Sequence, residues 1–261
     1  MGFRFPFPRI FDRTVMFTLL GAMLIWSRSM GFTELIREGF AAPRANLWRA
    51  LIGLAIAVTA IAILFGLAFA TGAGMNVSLG ALLVRALKFV AAALAIGLIE
   101  EGFFRAFLLG GMRRDFGPRI ALVVSSALYA IAHLVRSPSR YYLTGLHLSA
   151  GLQNLGASAA QLGHPLIAAP TVIGLFLLGM VLGTAFLRTG TVWFSIGLHA
   201  GFVLGAKTWP LIAHGDGAPI SRWIAGPGPV PLIAAPAAWA IANTSGTQSA
   251  TRRPACRAEP P

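Results

Sequence analysis

Residues 97–109 read Gly-Leu-Ile-Glu-Glu-Gly-Phe-Phe-Arg-Ala-Phe-Leu-Leu, an apolar segment that contains three ionisable side chains. These side chains are Glu100, Glu101 and Arg105. A charge at the centre of a bilayer costs about 2.5–3.5 kcal/mol on insertion scales, so each of them needs a partner or a chemical role. Two further apolar segments each carry a histidine, His133 and His199. Because carboxylates and histidines can together activate water, the pattern predicts an intramembrane polar site.

The composition indicates a membrane protein. Of the 261 residues, 56% are hydrophobic and 11% are charged. Soluble domains contain about 25% charged residues, and one soluble core could not cover this much apolar surface. The sequence also lacks the segments of alternating polarity that an outer-membrane β-barrel requires. We therefore predict an all-α, polytopic transmembrane bundle of about 6–8 membrane helices, integral to the bacterial inner membrane.

The net charge of +13 does not indicate a nucleic-acid partner. Most basic residues are arginines in short loops or at the ends of apolar segments, where they orient helices and meet lipid headgroups. A nucleic-acid-binding domain would instead concentrate them on one face. The single cysteine, Cys256, excludes an intramolecular disulfide and a cysteine metal site. We expect the lipid bilayer as a partner and no nucleic acid.

Hydropathy divides the chain into three parts. Residues 1–46 contain an interfacial segment, a first span and an amphipathic helix, and residues 47–242 form the transmembrane bundle. Residues 243–261 are rich in Ser, Thr, Pro and Arg and are predicted to be disordered. The mixed segment 136–165 suits a partly embedded position. The predicted spans cover about 14–27, 47–70, 81–110, 118–135, 166–187, 190–209 and 228–242.

The apolar segment 81–110 is too long for one perpendicular crossing of a bilayer. About 30 helical residues reach about 45 Å, whereas the hydrocarbon core is about 30 Å thick. We expect this helix to be tilted, to extend past the bilayer or to break near Gly97. We expect the next helix to begin at Pro118, because proline suits the first turn of a helix.

The spacing of the charges predicts how they pair. Consecutive helical residues point about 100° apart, so Glu100 and Glu101 should not face one target together. Arg105 follows Glu101 by four residues, which is the spacing of a helical ion pair. Glu101 is therefore predicted to pair with Arg105, while Glu100 faces the interior of the bundle. In the alternative interpretation, the charge cluster only locks neighbouring helices together.

The histidines predict the chemistry of the site. His133 follows Tyr129 by four residues, so both should lie on one helical face. Two imidazoles and a carboxylate, from His133, His199 and Glu100, could hold a divalent metal such as zinc with a position open for water. Without a metal, Glu100 could deprotonate water while the histidines stabilise an oxyanion. The residues alone leave both mechanisms open.

The motifs resemble those of the CAAX protease and bacteriocin-processing family, also called the CPBP or Abi family. The first family motif, Glu-Glu-x-x-x-Arg, matches Glu100, Glu101 and Arg105. The second, Phe-x-x-x-His, is present as Tyr129 and His133. The third reads His-x-x-x-Asn or His-x-x-x-Asp in the family, and here Val203 follows His199 at that spacing. The resemblance covers about residues 80–205.

The resemblance implies an intramembrane endopeptidase in which Glu100 activates water by a glutamate- or metal-dependent mechanism. The substrate would be a peptide or a membrane-associated protein. Val203 stands where the family has Asn or Asp, whose side chain is expected to help hold the oxyanion or the water. The alternatives are a catalytically silent scaffold or immunity-type protein of the same fold, and a transporter with a Glu and His proton relay. The implied catalytic residues are Glu100, Glu101, Arg105, His133 and His199, with Tyr129 in a supporting role.

Overall fold

The computed structural model describes residues 31–70, 78–134 and 165–212, with short pieces at 4–6, 14, 17–18, 21, 25, 142–144, 149, 151–153 and 156. The predicted all-α fold is confirmed. The helices are α1 (Phe32–Gly39), α2 (Pro43–Ala70), α3 (Leu79–Glu101), a π-helix (Gly102–Leu109), α4 (Gly110–Leu134), α5 (Pro165–Thr189) and α6 (Trp193–Ile212).

Three segments of the described residues are long and apolar enough to cross a membrane. They are Pro43–Leu67, Gly80–His133 and Val172–Thr189. The total of about 6–8 membrane helices stays a prediction. The predicted span at 228–242 and the tail at 243–261 lie outside the described residues, and so does most of the predicted first span.

Two short strands accompany the helices, and the sequence did not predict them. The strand β1 (Arg4–Pro6) pairs antiparallel with β2 (Tyr142–Thr144), with Phe5 opposite Leu143. Strand pairing satisfies backbone N–H and C=O groups that irregular segments otherwise leave without partners. The pair therefore ties part of the interfacial segment at the N-terminus to part of the mixed segment 136–165.

The long apolar segment changes its helical geometry without breaking near Gly97. The helix α3 begins at the cap of Ser78, whose Oγ accepts a hydrogen bond from the Ala81 N–H at 3.4 Å. It continues through Gly97 to Glu101, and the π-helix follows directly. Gly97 has a packing role instead, because a Cβ there would lie 3.1 Å from the Ile196 carbonyl oxygen of α6.

The helix α4 has a sharp kink, and its second part begins where the sequence predicted a helix. Gly117 has a φ of 76° and a ψ of 163°, a left-handed conformation that suits glycine and interrupts the helix. Pro118 follows directly and begins the regular segment that carries the site residues of α4. Proline suits this position because it has no N–H to leave without a partner.

Glycines bring α6 into backbone contact with α2. A Cβ on Gly197 would collide with the backbone of Ala50, one on Gly201 with Ala57, and one on Gly205 with Ile61. Small residues in apolar helices favour close packing, and Gly197 and Gly201 are used in this way. Glycines four residues apart let two helices approach until their backbones touch. The helix α6 is thereby held firmly in the bundle.

An amphipathic helix was predicted within residues 1–46, and the structure has the short helix α1 in this part of the chain. Because α2 already begins at Pro43, the turn between the two helices is brief. Leu35 is buried, and its side chain lies 3.7 Å from where a Cβ would stand on Gly110, directly after the π-helix. The Val192 N–H donates to the Gly39 carbonyl at 2.9 Å. The helix α1 therefore lies against the ends of the helices that carry the site.

An exposed ion pair adds to this contact, and we expect its removal to have a small effect. Arg114 Nη2 donates to both oxygens of Glu38, at 2.9 and 3.0 Å. The two side chains are 47% and 45% exposed, so Glu38→Gln should lower the free energy of unfolding by less than about 1 kcal/mol. Thermal unfolding in nanodiscs, with Glu34→Gln as the control, measures this. A loss of several kcal/mol would contradict the expectation.

Candidate active site

The structure brings the five predicted catalytic residues and Tyr129 into one cluster. The carboxylates Glu100 and Glu101 are the last two residues of α3, and the π-helix contributes Arg105. The residues from the other two helices are Tyr129 and His133 on α4 and His199 on α6. Residues that are as far as 99 positions apart in sequence thus meet where α3 ends against α4 and α6.

Glu101 is the buried centre of the cluster. Its side chain is fully buried, and its Oε2 lies 3.4 Å from Arg105 Nε, which confirms the predicted ion pair. Its Oε1 accepts a hydrogen bond from His199 Nδ1 at 2.8 Å. A carboxylate that is held by a guanidinium on one oxygen and by an imidazole on the other is fixed in position. Glu101 therefore orients His199.

Arg105 is buried with Glu101 and reaches a third helix. Its side chain is 2% exposed, and its Nη2 donates to the Gly179 carbonyl of α5 at 3.4 Å. Its Nη1 has no hydrogen-bond partner among the described residues. The guanidinium carbon lies over the ring of Tyr129, 4.7 Å from the ring centroid. Arg105 thus connects the carboxylates, the aromatic ring and α5.

Glu100 lies at the more open side of the cluster, between the two histidines. Its Oε2 is 3.3 Å from His133 Nε2 and 3.7 Å from His199 Nε2. Glu100 is 26% exposed and His133 is 12% exposed, whereas His199 is 2% exposed. Glu100 and His133 are therefore the more accessible members of the cluster, and the other groups lie behind them.

The two carboxylates reach the same residue, which corrects the expectation that they could not. Glu101 contacts Nδ1 of His199 and Glu100 lies near Nε2. The angle of about 100° between consecutive helical residues still holds. The imidazole, however, presents its two nitrogens in different directions, so it lies between the diverging carboxylates.

The hydrogen bonds of the two Nδ1 atoms determine which nitrogens face Glu100. His133 Nδ1 lies 2.9 Å from the Tyr129 carbonyl, which can only accept, so Nδ1–H donates there. His199 Nδ1–H likewise donates to the Glu101 carboxylate. The Nε2 atoms then direct lone pairs towards a carboxylate oxygen of Glu100. Because Glu100 Oε2 and His133 Nε2 both accept, a donor such as water can bridge them from the side, and His199 Nε2 also lies within reach of the Tyr129 hydroxyl.

The cluster carries more acidic than basic side chains. The cluster contains two carboxylates and one guanidinium, on Glu100, Glu101 and Arg105. Uncompensated charge is costly in a buried environment. A carboxylate that takes a proton from water becomes neutral while the hydroxide oxygen carries the negative charge to the substrate, so the cluster is suited to act as a general base.

The donor chemistry of Glu100, His133 and His199 suits a divalent metal, but their placement does not form a metal site. Metal-binding histidines commonly present Nε2 and donate Nδ1–H to a carbonyl or carboxylate, as both histidines do here. Among the described residues, however, no group of three or more His, Cys, Asp or Glu side chains is placed to hold a metal. The metal stays a prediction.

Two parts of the site were not predicted from the sequence. The π-helix that carries Arg105 is one, and such helices often occur at functional sites. The other is the Gly179 carbonyl, which accepts a hydrogen bond from Arg105. Gly179 also has a packing role, because a Cβ there would lie 2.9 Å from Ser126 Cβ. A backbone acceptor leaves no signal in a single sequence.

The three long apolar segments are those of an integral membrane protein, and the cluster gives its described helices a buried polar site. Residues 82–205 match the family model described as "Rce1-like: Type II CAAX prenyl endopeptidase Rce1-like". This match confirms the resemblance to CAAX proteases and includes every residue of the cluster. No curated protein and no solved structure matches the chain.

Proposed function

We propose that the protein is an intramembrane endopeptidase of the CAAX type that hydrolyses peptide bonds with water activated by Glu100. The observation that carries the proposal is the convergence of Glu100 Oε2 with the Nε2 atoms of His133 and His199, at 3.3 and 3.7 Å. The family match over residues 82–205 supports a CAAX-type protease. The substrate that we propose is a peptide or a membrane-associated protein.

Glu100 acts first as a base and then as an acid. A water molecule between Glu100 and the histidines loses a proton to Glu100, and its oxygen bonds to the carbonyl carbon of the substrate. The carbonyl oxygen becomes negatively charged. When the tetrahedral intermediate collapses, the C–N bond breaks and the proton on Glu100 passes to the leaving nitrogen. General acid–base catalysis by one positioned side chain contributes about 10²–10⁴-fold to the rate.

Glu101 and Arg105 are positioning residues in this mechanism. Both are buried, and neither lies on the open side of the cluster. Glu101 fixes the tautomer of His199, so that Nε2 faces the water, and Arg105 balances the charge of Glu101. The histidines keep the water against Glu100.

The experiment is cleavage of a quenched peptide library by purified protein in nanodiscs. We expect turnover by the wild type and a loss of about 10²–10⁴-fold in Glu100→Gln. Glu34→Gln changes an exposed glutamate on α1 and is the matched control, with unchanged turnover expected. Equal turnover by Glu100→Gln and the wild type would overturn the mechanism.

A chelator arm of the same assay tests the predicted metal. Turnover that survives prolonged chelation supports the glutamate mechanism. Turnover that is lost on chelation and restored by zinc would show that a metal takes part.

The alternative of a catalytically silent scaffold rests on one residue. Val203 lies one turn after His199 on α6 and has no hydrogen-bonding group. The family match does not favour this alternative. Absence of turnover in the wild type, together with restored turnover in Val203→Asn, would support it.

A further inference from the structure

Tyr129 brings a hydroxyl group into the centre of the cluster. The residue is 1% exposed, and its hydroxyl lies 3.4 Å from His199 Nε2. Its ring lies next to the ring of His133, with 4.3 Å between the centroids. A phenylalanine would provide the same ring without the hydroxyl. The hydroxyl is therefore a polar group of the site that the hydrolytic steps above do not use.

The Tyr129 hydroxyl makes a weak hydrogen bond to His199, which it can exchange for a bond to a better acceptor. His199 Nδ1 donates to Glu101, so Nε2 accepts and the Tyr129 O–H donates. A bond from a hydroxyl is normally about 2.5–3.0 Å long, so a separation of 3.4 Å indicates a weak one. A negatively charged oxygen nearby would be a stronger acceptor than the neutral nitrogen.

Arg105 holds the ring that carries the hydroxyl. Its guanidinium carbon lies 4.7 Å from the centroid of the Tyr129 ring, and cations are attracted to ring faces. The Tyr129 hydroxyl is thus fixed in position beside His199.

Val203 lies where a second donor would be expected. Residues four apart on a helix lie on the same face, so the side chain of residue 203 follows that of His199 along α6. Valine is apolar and can stabilise neither the water nor an oxyanion. The side of the site near His199 therefore depends on a donor from another helix, and the Tyr129 hydroxyl reaches His199 from α4.

We propose that the Tyr129 hydroxyl donates a hydrogen bond to the oxygen that becomes negatively charged during peptide hydrolysis, and that it thereby replaces the donor missing at Val203. The proposal rests on the proposed function. The proton remains on the phenolic oxygen throughout, so no covalent step is added. When the oxyanion forms, it takes the place of His199 Nε2 as the acceptor.

The test is a set of variants in the peptide assay. Removal of one oxyanion donor costs about 10²–10³-fold in kcat, so Tyr129→Phe should lose about that factor while KM and the melting temperature stay close to those of the wild type. Adding Val203→Asn to Tyr129→Phe should raise kcat by about tenfold or more over that of Tyr129→Phe alone. Val203→Leu is the control, because leucine resembles asparagine in shape but has no amide. Adding it to Tyr129→Phe should leave kcat unchanged.

The outcomes separate this inference from the proposed function. If the wild type cleaves and Glu100→Gln does not, but Tyr129→Phe is as active as the wild type, the inference alone is overturned. Equal rescue by asparagine and leucine at residue 203 would also overturn it, because the effect would then be one of packing. No turnover by the wild type would overturn the proposed function and the inference with it.

Discussion

Gly197→Ala is expected to destabilise the protein more than any other single-methyl addition in the described helices. A Cβ at Gly197 would lie 2.6 Å from the carbonyl carbon of Ala50 and 2.8 Å from its Cα. These are backbone atoms, so no change of rotamer can relieve the collision and α6 must move away from α2. We expect a loss of about 3 kcal/mol, the upper end of the usual range for overpacking. Because α6 carries His199, turnover should fall as well.

Thermal unfolding in nanodiscs measures this effect, and the chain offers a matched control. Gly66 lies on α2, the same helix that receives Gly197, and none of the described atoms lies within 4 Å of a Cβ placed there. Gly66→Ala should leave the stability unchanged or raise it by up to about 1 kcal/mol through helix propensity. Equal melting temperatures for the two variants would contradict the packing described for α2 and α6.

Glu101→Gln is expected to reduce both the stability and the turnover strongly. The substitution leaves the guanidinium of Arg105 buried without its counter-charge, which costs about 3–5 kcal/mol when one partner of a buried pair is removed. It also allows an amide to donate to His199 Nδ1 and so reverses the tautomer. In serine proteases, the corresponding exchange of the triad aspartate for asparagine costs about 10⁴-fold in kcat.

A double variant separates the two effects of Glu101→Gln. Adding Arg105→Met removes the unpaired charge, so the melting temperature should recover towards that of the wild type. Turnover should remain low, because the carboxylate that orients His199 is still absent. Turnover that recovers together with stability would show that Glu101 has no role in positioning His199.

The sequence predicted those features of the site that depend on local spacing. The pairing of Glu101 with Arg105 follows from four residues on one helix, and the structure confirms it. The shared face of Tyr129 and His133 has the same origin. Pro118 marked the start of a helix because its chemistry suits only the first turn, and the structure has its kink at the preceding glycine.

The remaining features depend on how helices meet, which spacing does not determine. Whether His199 lies between the two carboxylates depends on how closely α6 approaches α3, and glycine contacts determine that distance. The π-helix also escaped prediction, since its residues are as apolar and helix-forming as those of an ordinary helix. The sequence also did not predict that α2 begins at Pro43, before the predicted span at about 47–70. The polar residues before that span are compatible with a helix, so they gave no signal of where it starts.

The glycine contacts between α2 and α6 restrict how the protein can admit a substrate. Gly197, Gly201 and Gly205 meet α2 at successive turns, and the residues between them carry side chains. Rotation of α6 about its axis by about 100°, the angle between consecutive helical residues, would place side chains where the glycines now meet α2. The two helices therefore cannot rotate against each other while they stay in contact. We expect an opening that admits a polypeptide to Glu100 to leave this helix pair unchanged.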